Sequence, residues 1–191
     1  MRAAAVILAG GQGERMGRQD KGLVLYRGAP MLSWTLKMVR PLVAEVFISC
    51  NRNQTQYAEF GCPLVSDSLS GFQGPLAGVQ AALAELNHSP SGYSHLLVLP
   101  CDTPLLEPVV IEQLLATAEE HPTAICIIRT ADQPQFLHAI IPVAYAEALN
   151  HWLASGNRAA YKWYRQFPIH FLDLPDNPES FKNINSPEQL D

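Results

Sequence analysis

Residues 3–22 read Ala3-Ala4-Ala5-Val6-Ile7-Leu8-Ala9-Gly10-Gly11-Gln12-Gly13-Glu14-Arg15-Met16-Gly17-Arg18-Gln19-Asp20-Lys21-Gly22. A short unbroken apolar run, Ala3 to Leu8, leads straight into a loop of glycine and charge. Such a run predicts a strand covered on both faces, the habit of parallel sheets flanked by helices. The loop then stands at the strand's carboxyl end, the edge where open α/β sheets take their ligands. Its glycines let the backbone come close to a ligand and turn N–H groups toward it, which attracts anions. Arg15 offers a planar fork for phosphate, and Lys21 a mobile point charge.

Two well-known phosphate loops fail here letter by letter. The pattern G-x-x-x-x-G-K-[ST] does not fit, because Lys21 precedes Gly22 and no Ser or Thr follows. The dinucleotide pattern G-x-G-x-x-G fails at its last position, where Gly11 and Gly13 are followed by Met16.

The alternation continues outward from this loop. Pro30 predicts the start of a helix with Met31, Trp34, Leu36, Met38 and Val39 along one face. Strands are expected at Glu45 to Ser49 and Leu64 to Ser66, then a helix from Pro75 with Leu76, Val79, Leu83 and Leu86 inward. His95 to Leu99 predicts another buried strand, and Pro108 to Glu120 a helix. Ala124 to Arg129 and Phe136 to Ile141 read as a hairpin around the polar Thr130 to Gln135. Helices near Val143 to Leu153 and Arg158 to Arg165, a strand at Ile169 to Asp173 and a short helix from Ser186 complete the reading. Strands alternating with helices imply an α/β three-layer sandwich with a mostly parallel, partly mixed central sheet. With no repeat or linker, residues 1–191 are expected to form a single domain.

Composition narrows the function. The 191 residues are 48% hydrophobic and 16% charged, as in an ordinary globular domain. A formal net charge of −5 argues against general nucleic-acid binding. Residues 1–40 nevertheless hold seven basic and two acidic side chains, a local +5 on an otherwise acidic chain. That suits a small polyanion, although Arg27, Lys37 and Arg40 also fit a solvated face. No apolar run reaches the roughly 18 to 20 residues of a membrane span, so no membrane is expected. Arg2 and the following apolar stretch end in Gly-Gly and a charged loop, unlike a secretory signal, and a cytoplasmic location is expected. Cys50, Cys62, Cys101 and Cys126 lie too far apart for a zinc site or disulfide framework and read as reduced thiols. The six histidines lack metal-ligand spacing. Trp152, Tyr161, Trp163 and Tyr164 read as core, with stacking on a planar ligand as the alternative.

Leu8-Ala9-Gly10-Gly11, Arg15-Met16-Gly17 and Asp20-Lys21-Gly22-Leu23 together resemble the signature loop of the molybdenum cofactor guanylyltransferases. These form the MobA family within the α/β nucleotidyltransferases. The likeness extends in order to Asp67-Ser68, to Gly74-Pro75-Leu76-Ala77-Gly78, to Pro100-Cys101-Asp102-Thr103-Pro104, and to Asn183-Ile184-Asn185-Ser186-Pro187-Glu188. It implies a Rossmann-like nucleotidyltransferase fold and an enzyme that transfers GMP from GTP to the terminal phosphate of Mo-molybdopterin, releasing pyrophosphate. GTP, Mo-molybdopterin and Mg²⁺ are the implied ligands. Other cofactor-biosynthesis proteins and the acceptor molybdoenzymes or their chaperones are the implied partners.

Residue by residue, the resemblance places Arg15, Lys21 and Asp102 in catalysis. It places Leu8, Ala9, Gly10, Gly11, Lys21, Ser49, Asn51, Asp67 and Asp102 around GTP. Asp102 is a hard oxygen donor at the end of a strand, suited to Mg²⁺, and Asp before Thr-Pro is equally good turn chemistry. Asp67 suits guanine N1–H and N2–H or the ribose, or simply a turn. Ser49 departs from the family's Asn-x-Asn-Arg ending of the second strand, here Ser49-Cys50-Asn51-Arg52. Asn183 and Asn185 match the Asn pair near the pterin, or precede a helix capped by Ser186. The family's segment shaped like His-Pro-Thr is here Gln133-Pro134-Gln135-Phe136. The glycine at Gly11, where the cytidylyl branch has Ala, is expected to leave room for a purine. A cytidylyltransferase, a sugar-phosphate nucleotidyltransferase and a non-catalytic nucleotide-binding adaptor are the rival readings.

Overall fold

The computed structural model describes residues 1–10, 20–67, 74–175 and 179–184. Gly11, Arg15, Asn185 and the helix expected from Ser186 fall outside them.

In chain order the elements are β1 (Ala3–Leu8), β2 (Leu25–Tyr26), β3 (Ala29–Pro30), α1 (Met31–Val39), β4 (Val46–Ser49), α2 (Gln54–Ala58) and β5 (Leu64–Val65). There follow α3 (Pro75–His88), β6 (His95–Pro100), α4 (Pro108–Glu120), β7 (Ile125–Thr130), β8 (Gln133–Pro142), α5 (Ala146–Ala154), α6 (Ala160–Tyr164) and β9 (Ile169–Leu174). Seven strands make one sheet in the order β5-β4-β1-β6-β8-β7-β9. The run from β5 to β6 is parallel, β8 is antiparallel to both its neighbours, and β9 runs parallel to β7. The sheet is mostly parallel and partly mixed, as the sequence predicts.

Strand alternation sorts the core into two layers. From β1, Ala5 and Ile7 face α1 and α4, packing with Leu32, Leu36, Ile111 and Leu114. Ala4 and Val6 face the other way, onto Leu76, Val79 and Leu83 of α3 and Leu149 of α5. Trp163 and Tyr164 are fully buried in that second layer, so they serve as core and not as a stacking platform.

Three features differ from the sequence reading. The hairpin of β2 and β3 turns on Arg27 (φ 48°) and Gly28 (φ 79°), and arginine at a left-handed position hides the usual turn signature. The β7–β8 turn is likewise only Ala131-Asp132, with φ of 44° and 61°, so β8 starts at Gln133 inside the stretch read as loop. Helix α2 is five residues of which only Tyr57 is buried, too short for a periodic signal.

Candidate active site

The parallel strands end level with one another. Leu8 pairs with Ser49 on one side and Pro100 on the other, and Ser49 pairs with Val65. The segments leaving β1, β4, β5 and β6 therefore share one edge, and they enclose a cavity of about 230 Å³. Leu8, Ala9, Gly10, Lys21, Ser49, Asn51, Asp67 and Asp102 all line it, joined by Gly74, Pro75, Gly78, Pro100, Cys101 and Leu137. Asn183 is exposed and does not line the cavity. Its neighbour Ile184 is buried, and the Ile184 N–H donates to the Asp102 carbonyl at 2.9 Å. That bond fastens the C-terminal segment to the turn after β6.

One end of the cavity is built for charge. Lys21 opens the short 3-10 turn Lys21–Leu23, and its Nζ donates to Asp102 Oδ2 at 2.9 Å. Gly22 is required there, since a Cβ would stand 2.9 Å from Tyr57 Oη and 3.3 Å from Ala9 Cβ. Asp102 sits on a turn that is itself held. Thr103 Oγ1 and His138 Nε2 share a hydrogen bond of 3.1 Å, and the Phe181 ring meets His138 edge-on at 5.3 Å. Burial lowers the His138 pKa to about 4, which keeps the ring neutral at pH 7. Burial likewise pushes the Cys101 thiol up to about 12, so this cysteine is no nucleophile.

The other end is built for directional hydrogen bonding. Asn51 grips Asp67 twice: its Nδ2 donates to Asp67 Oδ2, and its Oδ1 accepts the Asp67 N–H, each at 2.9 Å. Desolvation raises the Asp67 pKa, and the bond from Asn51 pulls it partly back. Asp67 Oδ2 thus faces Asn51, and the carboxylate is fixed in direction without being neutralised.

The end of the first strand is tied into the sheet by its backbone. The N–H groups of Ala9 and Gly10 both donate to the Ser49 carbonyl at 3.0 Å, because the β1–β4 pairing runs on past Leu8. They are not aimed at an anion. A Cβ on Gly10 would meet nothing nearer than 3.7 Å, so packing does not demand glycine there. Gly78 on α3 is the tighter position, since its Cβ would fall 2.2 Å from Ser49 Oγ. Gly74 (φ 75°) and Pro75 start the 14-residue α3 at the cavity wall. The segment Gly74 to Gly78 carried this signal in its Gly-Pro start and small residues. Leu137 carried none, because its place depends on β8 lying beside β6.

A cavity at the carboxyl edge of a parallel sheet, with a lysine and carboxylates converging on it, is where an open α/β fold takes its ligand, and this lining suits a phosphorylated one. Residues 5–170 match the model of the MobA-like NTP transferase domain. A relative named molybdenum cofactor guanylyltransferase, from Ectopseudomonas mendocina (strain ymp), is 37% identical over 187 residues, covering 98% of this chain and 89% of its own. The chain belongs to the MobA-like NTP transferase family.

Two solved structures agree in fold. Molybdopterin-guanine dinucleotide biosynthesis protein A from Archaeoglobus fulgidus superposes with a TM-score of 0.77 at 24% identity, covering 98% of this chain and 94% of that one. A Mycobacterium tuberculosis protein in complex with manganese gives a TM-score of 0.67 at 15% identity, over 93% and 90% of the two chains.

Proposed function

We propose that this chain transfers GMP from GTP to the terminal phosphate of Mo-molybdopterin, forming the guanine dinucleotide cofactor and pyrophosphate. The observation that carries the reading is the cavity that joins Lys21 and Asp102 at one end to the Asn51–Asp67 grip at the other. One end suits a triphosphate and the other a base or ribose with N–H or O–H donors.

In the reaction a terminal phosphate oxygen of the pterin attacks the α-phosphorus of GTP. An O–P bond forms, the bond to the bridging oxygen of the β-phosphate breaks, and pyrophosphate leaves. A phosphate monoester is largely ionised near neutral pH, so the attacking oxygen needs no strong base. The protein's work is to hold the reactants in line and to offset charge. Lys21 does this on the triphosphate and, with Arg15, on the leaving pyrophosphate. The Asp67 carboxylate accepts N1–H and N2–H of guanine. Leu8, Ala9, Gly10, Gly11 and Ser49 bound the nucleotide, and Asn183 and Asn185 the pterin side.

Among the described residues no group of three or more His, Cys, Asp or Glu gathers to hold a metal. Asp102 fits a different arrangement, in which Mg²⁺ is held by one carboxylate and by the substrate's own phosphates. When bound there, the cation neutralises phosphate charge. Among the described residues no helix is long and apolar enough to cross a membrane. We place the enzyme in the cytoplasm, where free Cys50, Cys62, Cys101 and Cys126 stay reduced.

The test is single-turnover pyrophosphate release with Mg²⁺, Mo-molybdopterin and GTP, beside CTP, ATP and the Asp102→Ala variant. Release that requires GTP and the pterin and is lost in the variant is expected. Release with CTP instead would replace guanylyl by cytidylyl transfer, and GTP binding without release would make the protein an adaptor.

A further inference from the structure

Asp20, one residue before Lys21, carries a carboxylate in a residue only 3% exposed. Both of its oxygens are engaged. Arg52 donates to Oδ1 in an ion pair, and Asn53 Nδ2 donates to Oδ2 at 2.9 Å. Its backbone carbonyl accepts the Leu23 N–H at 2.9 Å, closing the turn that presents Lys21. Arg52 and Asn53 follow Asn51 directly in the loop between β4 and α2, and Asn53 takes the left-handed conformation (φ 52°) at the start of α2.

A buried carboxylate is an odd choice beside a site for a polyanion. Its charge opposes the triphosphate, and removing it from water costs free energy that its partners must return. The charge is felt beneath the cavity, where burial first and Asp20 second push the Cys50 thiol up to about 11. What Asp20 supplies in exchange is geometric. It ties the turn bearing Lys21 to the loop whose Asn51 holds Asp67, two segments that adjoin different ends of the cavity and share no sequence neighbourhood.

We propose that Asp20 is a positioning residue that acts through Lys21, fixing the distance between the phosphate-facing ammonium and the base-facing carboxylate. This rests on the nucleotidyl-transfer reading of the cavity. Replacing Asp20 leaves Lys21 and the backbone of its turn in place but weakens the side-chain tie to Arg52 and Asn53, so the loss falls on the same interaction that Lys21 makes with nucleotide.

The experiment is a double-mutant cycle with Asp20→Asn, Lys21→Ala and the double variant, read as kcat/KM for pyrophosphate release and as Kd for GTP by calorimetry. Asp20→Asn is expected to lower kcat/KM about 10- to 100-fold, the scale of a small misplacement of a catalytic group. In the Lys21→Ala background the same change is expected to cost less than about twofold, because coupled residues do not add. An equal factor in both backgrounds, or unchanged kcat/KM with only a lowered Tm, would reduce Asp20 to scaffold and overturn the proposal. If Asp20→Asn does not fold, Asn53→Ala removes one bond, leaves the Arg52 ion pair, and enters the same cycle. Wild-type protein that binds GTP without releasing pyrophosphate would sink the transferase reading, while the cycle in Kd would still decide the role of Asp20.

Discussion

Lys21 Nζ and Asp102 Oδ2 stand 2.9 Å apart, so the cation proposed above for phosphate and the carboxylate proposed for a metal are partners of each other. Both side chains are largely buried, at 28% and 16% exposure, and the pair spans 81 residues of sequence. Its value is that each group is held at the cavity without collapsing onto a wall. On the proposed reading, a triphosphate with its cation would offer each a partner of opposite charge, and the pair would exchange for those.

Asp102→Asn is expected to cut pyrophosphate release about 10²- to 10³-fold, the usual loss when one electrostatic contact to a transferring group is removed. The Tm should move by no more than a few degrees, since Asn in place of Asp102 keeps an oxygen that accepts from Lys21 Nζ. Measuring both on one preparation decides the matter. A large fall in Tm with activity retained in the folded fraction would show Asp102 to be a turn cap only.

Asp67 should set a pH limit on nucleotide binding. Its carboxylate must be ionised to accept two N–H donors, and desolvation has raised its pKa. As pH falls through that raised value, Asp67 takes up a proton and KM for GTP rises, at a higher pH than an exposed aspartate would give. Asp67→Asn should raise KM for GTP about 10- to 100-fold at pH 7, matching the loss of a charged hydrogen bond, and abolish that acid limb. KM profiles from pH 4 to 8 for the two proteins test this.

How much of this was legible in the sequence follows from how local each cause is. The site was readable because it is made at strand ends, and Leu8, Ser49 and Asp102 each close a short apolar run or follow one directly. What stayed hidden depends on pairings between distant segments. Leu137 reaches the cavity because β8 inserts antiparallel beside β6, and no local pattern encodes that neighbour. The Asn51–Asp67 grip is equally non-local, since an Asn after a strand reads as a turn residue until β5 is placed alongside. The hydrogen bonding of the Ala9 and Gly10 backbone is hidden for the same reason, since both N–H groups donate to the Ser49 carbonyl of β4 while the residues still line the cavity.

Gly78→Ala should strain the wall between α3 and β4. The added methyl would stand 2.2 Å from Ser49 Oγ and 3.0 Å from Leu8 Cδ2, closer than packed atoms tolerate. Overpacking of this kind costs about 1–3 kcal/mol, read as a lower denaturation midpoint with unchanged slope. The double variant Gly78→Ala with Ser49→Ala removes the worst contact and should recover part of the loss. Equal stability of the single and double variants would mean that the helix simply shifts outward.

His138 should make the fold sensitive to acid in a specific window. Its pKa is about 4 when folded, lowered by burial from the ordinary 6.5, so between those values the unfolded chain binds a proton that the folded one excludes. Stability from this residue is complete above about pH 6.5 and is lost as pH falls toward 4, by on the order of 3 kcal/mol in all. His95, also lowered by burial, acts in the same direction. His138→Gln preserves a partner for Thr103 Oγ1 and does not titrate, so the difference between the two stability curves isolates this proton. Denaturant midpoints at pH 4.5, 5.5 and 7 should converge toward acid, with the wild type losing more. Parallel curves would mean that His138 is already open to water in the folded state.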